Sequence, residues 1–145
     1  MKALIQRVTH AHVKVNNKVV GEISGGILAF IGVEQNDSKE SADKILQKIV
    51  SYRIFSDTNN KINLSLLDVG ADLLLVSQFT LVANTKKGLR PSFSSVGGHE
   101  LSKQLYDYLI RQAKNLGIKV QTGVFAADMQ VSLTNDGPVT FNLQS

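Results

Sequence analysis

The sequence predicts an α+β fold, a mainly antiparallel curled sheet or open β-barrel with two packed helices, and three observations lead there. Apolar and polar residues alternate over residues 2–15, a nearly continuous apolar run at 27–33 and a second stretch at 73–82 read as buried strands, and only two stretches carry apolar residues at helical spacing. A hydrophobic fraction of 43% in 145 residues is enough to bury one core without disulfides. No internal repeat or linker divides the chain, so residues 1–145 are read as one domain.

In the opening strand, Ala3, Ile5, Thr9, Ala11, Val13 and Val15 fall on one face, and Gln6, His10, His12 and Lys14 on the other. Asn16-Asn17 tolerates the positive φ of a tight turn, which lets residues 19–23 return as a hairpin partner. Gly25-Gly26 then turns the chain into the apolar strand 27–33, expected to be buried on both faces. Asp37 and Glu40 have the spacing of a capping box, and Ala42, Ile45, Leu46, Ile49 and Val50 make one side of a helix over about 38–52. Residues 57–61 read as a turn and 62–66 as a short strand or turn, before the second buried strand at 73–82. Residues 84–98, rich in Gly and basic residues, form a long loop of the kind that tends to carry function. A second helix over about 99–116 stops at Gly117, short extended pieces cover 118–120 and 123–127, and strands at 129–133 and 139–143 flank a turn at 135–138.

The absence of cysteine excludes disulfides, thiolate nucleophiles and cysteine-bound metals, and suits a reducing cytoplasm. Neither end has a basic-then-apolar leader, and the apolar runs fall far short of the roughly 20 residues that cross a bilayer, so a soluble protein without a membrane partner is expected. Sixteen Lys+Arg against twelve Asp+Glu give a net charge of +4, a mild excess that favours a polyanion where basic residues cluster.

Two segments stand out chemically. Ser77-Gln78-Phe79-Thr80 brings two hydroxyls and an amide directly after the buried Leu73-Leu74-Leu75-Val76, where polar groups need partners. Its plain structural reading is a strand leaving the core. Gly137-Pro138 has an equally plain reading as a hairpin turn. Arg7 lies on the core-facing row with Ile5, Ala11 and Val13, so it either snorkels to water or holds neighbouring backbone carbonyls. Lys86, Lys87 and Arg90 are either a solvated surface or phosphate contacts. His10 and His12 share a face, but no third ligand of suitable type stands near them, and His99 lies at a helix start. No metal or cofactor is therefore expected.

Taken together, SQFTL at 77–81 and NDGPVT at 135–140 resemble the paired signatures of the D-aminoacyl-tRNA deacylase family, and LIQRV at 4–8, KKGLRPSF at 86–93 and ADMQVSL at 127–133 extend the resemblance over the chain. The resemblance implies a homodimeric enzyme that hydrolyses the ester of D-aminoacyl-tRNA, and of glycine mischarged on alanine tRNA. It implies a cis Gly137-Pro138 bond projecting into the partner subunit's pocket, where its carbonyls reject L-aminoacyl groups by clash. Backbone N–H groups around Gln78 and Phe79 would stabilise an oxyanion, and Thr80 would position groups rather than attack. Arg7 would orient the Gly137-Pro138 segment, Phe79 and Met129 would line the pocket, and Lys86, Lys87 and Arg90 would contact tRNA phosphates without any need for DNA. Ala126 departs from the pattern, standing where the family has glycine.

Overall fold

A computed structural model describes all residues 1–145. The strands are β1 (Lys2–Val15), β2 (Lys18–Ile23), β3 (Gly26–Gly32), β4 (Phe55–Ser56), β5 (Ile62–Leu64), β6 (Asp72–Ser77), β7 (Val120–Thr122) and β8 (Gln130–Gln144). The helices are α1 (Lys39–Ser51), α2 (Leu66–Val69) and α3 (His99–Asn115), with a 3-10 turn at Phe79–Val82. Six strands form one sheet in the order β2-β1-β3-β6-β7, with β8 along the other side of β1. The β1 pairs with β2, β3 and β8 are antiparallel, while β3-β6 and β6-β7 are parallel.

The sheet curls until β2 approaches β7, and only a glycine permits the approach. A Cβ on Gly21 would run into the Thr122 carbonyl oxygen. Two cores result. Ala3, Ile5, Ile27, Ala29, Ile31, Leu73 and Leu75 face α1 and α3, while Val8, Ala11, Val13, Ile23, Leu28, Leu74 and Val76 fill the inside of the curl. Strand β3 is thus buried on both faces, as its continuous apolar run requires.

Several sequence expectations need correction. Three α-helices form instead of two. The extra turn, α2, is closed at both ends: Ser65 and Asp68 cap one another, and Gly70 takes a left-handed φ of 62°. Helix α1 is capped by Ser38 and Ser41, because the Asp37 carboxylate is taken by the Met1 ammonium and the Glu34 amide. The second buried strand stops at Ser77, and residues 79–82 wind into the 3-10 turn.

Two bulges matter most. On β1, Val8 and His10 pair with consecutive β8 residues Asn135 and Thr134, so Thr9 is an extra residue, exposed rather than inward. The alternation reverses there. Arg7 consequently shares its face with Ile5 but not with Ala11 and Val13. On β8, Gln6 and Val8 pair with Thr140 and Asn135, which leaves the residues around Gly137-Pro138 as a bulge within one continuous strand rather than a hairpin turn.

Candidate active site

The end of β6 opens into a cavity of about 530 Å³, within the range of small-ligand sites. Eleven of its sixteen lining residues are hydrophobic, so a few polar groups must fix the orientation of whatever enters. Ser77, Gln78, Phe79 and Met129, all singled out from sequence, line it. His99, Tyr106, Phe125 and Ala126 line it as well. Sequence reasoning placed none of these four in a site, because they converge from α3 and the 123–129 loop only through the tertiary fold.

The polar groups at the cavity sort by what already occupies them. The Gln78 amide donates to the Ile31 carbonyl at 2.8 Å, which removes it from the pair of oxyanion donors expected there. Phe79 opens the 3-10 turn, where an N–H has no partner inside the helix, so its amide is the available donor. The Gln78 side-chain amide donates to the Thr80 hydroxyl. Thr80 is exposed and lies outside the cavity lining, and its contact with Gln78 holds that side chain at the cavity edge. The Tyr106 hydroxyl donates to the Leu75 carbonyl at 2.8 Å, and burial pushes its pKa well above that of an ordinary phenol. Tyr106 therefore stays protonated and is no general base.

Phe79 also pairs with Phe93 at a ring-centroid distance of 5.3 Å, and both rings remain largely exposed at the rim. Ala126 adopts a φ of 59°, left-handed and unfavourable for any residue with a Cβ. The glycine expected there would fit that backbone without strain.

Gly137 and Pro138 do not line this cavity. Their peptide bond is cis, and both residues are exposed. The neck of their bulge is clasped by Asn135, whose side-chain oxygen accepts from Val139 N–H at 2.7 Å and whose amide donates to the Val139 carbonyl at 3.2 Å and the Thr140 hydroxyl at 2.9 Å. Arg7 reaches the bulge from the facing strand. Its Nε donates to the Asp136 carbonyl at 3.0 Å and lies 3.1 Å from the Asp136 carboxylate, while Nη1 donates to the Ile54 carbonyl at 2.6 Å. A guanidinium on a core-facing row is thus satisfied by backbone carbonyls.

Lys86, Lys87 and Arg90 are exposed on the 84–98 loop, where none of them forms an ion pair. The expectation that His10 and His12 lack a third ligand is overturned, since the hairpin sets Glu22 beside them. That cluster does not line the cavity. No helix is long and apolar enough to cross a membrane.

Known proteins share this architecture and these segments. The family described as D-Tyr-tRNA(Tyr) deacylase matches residues 4–144. Proteins named D-aminoacyl-tRNA deacylase from Pseudoalteromonas translucida and Pseudomonas fluorescens are 61% and 55% identical over 99% and 100% of both chains. Among solved structures, one titled c-Myc DNA Unwinding Element Binding Protein superposes with a TM-score of 0.94 at 34% identity, covering 100% of this chain and 99% of its own. A probable eukaryotic D-amino acid tRNA deacylase gives a TM-score of 0.84 at 18% identity over 98% of both chains, a likeness of fold. With both signature segments folded into one cavity rim and one clamped bulge, and with identity running the length of the chain, the chain belongs to the D-Tyr-tRNA(Tyr) deacylase family.

Proposed function

We propose that the chain is a chiral proofreading hydrolase that works as a homodimer, cleaving the ester between a D-amino acid and the 3′-terminal adenosine of tRNA. Its family membership makes it a hydrolase of aminoacyl-tRNA esters. The observation that carries the finer reading is the separation of the two signatures. The cavity lined by Ser77, Gln78 and Phe79 takes neither Gly137 nor Pro138 from its own chain, and both residues stand exposed on a bulge held by Arg7 and Asn135. A second copy brings bulge to cavity and completes both sites.

In that shared site the carbonyls of Gly137 and Pro138 accept the substrate's amino group and leave no room for a side chain in the L position. Glycine has no side chain to exclude, so glycyl-tRNA passes the same filter. As water, oriented by the neighbouring ribose hydroxyl, adds to the ester carbon, the Phe79 N–H stabilises the developing oxyanion, a contribution of about 3–4 kcal/mol for one such donor. The ribose 3′ oxygen leaves with a proton, and the D-amino acid is released. Phe79 and Met129 hold the aminoacyl or adenosine part, Lys86, Lys87 and Arg90 meet acceptor-stem phosphates, and the reaction belongs in the cytoplasm where tRNA is charged.

The structural relative titled as a DNA-binding protein supports a second reading, a nucleic-acid-binding domain without catalysis. Catalytic amounts of the chain incubated with D-Tyr-tRNA separate the two. Multiple-turnover release of D-tyrosine is expected, unaffected by a chelator. Binding of tRNA with no release would establish the second reading instead.

A further inference from the structure

Beyond the Thr9 bulge, β1 sends Ala11 and Val13 inward, both fully buried, and His10 and His12 outward. The backbone under the two imidazoles is thus fixed by packing on its other face and by ladders to β2 and β8. Register places Glu22 directly opposite His12, and the inward Ile23 opposite Ala11. His10 Nε2 lies 2.8 Å from Glu22 Oε1, and the two imidazole centroids are 5.3 Å apart. One ligand atom from each of the three residues falls within 4.8 Å of the others.

Tetrahedral zinc with bonds of about 2.0–2.2 Å spaces its ligand atoms about 3.4 Å apart. Closing the cluster onto an ion therefore needs only side-chain rotation, which is open to His10 and Glu22 because both side chains are about half exposed. Two imidazoles and one carboxylate suit zinc, copper or nickel, whereas calcium and magnesium require oxygen-rich shells. Ser132 and Thr134 of β8 stand opposite His12 and His10, and can bond to a water in the fourth position.

We infer that His10, His12 and Glu22 form a binding site for one divalent cation of the zinc class, a clamp across the β1-β2 hairpin. The site is independent of the deacylase reading, since it lies on the outer sheet face and shares no residue with the cavity. It ties β2, the strand that closes the curl against β7, to β1.

Zinc chloride titrated into the full chain by calorimetry, with thermal melting alongside, tests this. One ion per chain and a rise in Tm of several degrees are expected, with calcium chloride giving neither. His10→Ala and His12→Ala should each weaken binding at least about tenfold, Glu22→Gln should weaken it less, and His99→Ala should leave it unchanged. With three histidines in the chain, copper should broaden the NMR signals of His10 and His12 and spare His99. Absence of zinc binding, or equal binding by His12→Ala and the unaltered chain, overturns the proposal, as does loss of binding in His99→Ala alone.

Discussion

Arg7→Ala removes a fork that joins three acceptors, and its consequences can be worked from their surroundings. The Ile54 residue is fully buried, so its carbonyl loses the donor at 2.6 Å where water has little access. An unsatisfied buried acceptor costs about 1–3 kcal/mol. The Asp136 carboxylate is 52% exposed, which limits the ion pair to at most about 1 kcal/mol. A total near 2–3 kcal/mol corresponds to a fall in Tm of roughly 5–10 °C for a domain of this size. The Asn135 clasp remains, so the bulge survives but loses its hold from the facing strand. At a temperature where the variant is folded, kcat/KM for D-Tyr-tRNA should drop by about 10–100-fold, the scale of a misplacement near 1 Å. Arg7→Lys can reach one carbonyl but not all three acceptors, and should recover part of the stability and less of the activity. Circular dichroism melting and single-turnover deacylation give the two readouts. A folded Arg7→Ala variant with unchanged kcat/KM would refute the positioning role, and an unchanged Tm would refute the weight given to the Ile54 bond.

Thr80→Ala should lower kcat/KM only about 3–10-fold, the worth of one hydrogen bond to Gln78, in a deacylation assay, whereas complete loss with normal tRNA binding would mark Thr80 as the nucleophile. Ala126→Gly exchanges left-handed strain of about 1–2 kcal/mol for a glycine entropy cost of about 0.5–1 kcal/mol, so Tm should rise by roughly 1–3 °C in a melting curve. Changing Lys86, Lys87 and Arg90 together to Gln should raise KM, leave kcat nearly unchanged, and reduce the log–log salt slope of tRNA binding by about 0.7–0.9 for each phosphate that is no longer neutralised.

The long strand β1, the doubly buried β3 and the helix ending at Gly117 were legible because each is a period or a stop signal in consecutive residues. The Thr9 bulge was not, since an unpaired residue leaves no mark in an alternating sequence. Leu81 and Val82 continue the apolar run of β6, and composition alone cannot tell a strand from a 3-10 turn over so few residues. Gly137-Pro138 reads locally as a hairpin, and only the pairing of β8 with β1 on both sides reveals a bulge. The cavity was half legible. Ser77, Gln78, Phe79 and Met129 belong to recognisable segments, while His99, Tyr106 and Phe125 meet them only across the fold. Glu22 joined His10 and His12 for the same reason, through a hairpin register that spacing does not reveal.

Selection by chirality stands at the centre of the proposed function, and a single comparison decides it: first-order rates of ester hydrolysis for matched D-Tyr-tRNA, L-Tyr-tRNA and Gly-tRNA(Ala) at one enzyme concentration. The expected result is rapid release of D-tyrosine and glycine with L-tyrosine retained at the rate of spontaneous hydrolysis. Release of L-tyrosine at a rate comparable to D-tyrosine would contradict it.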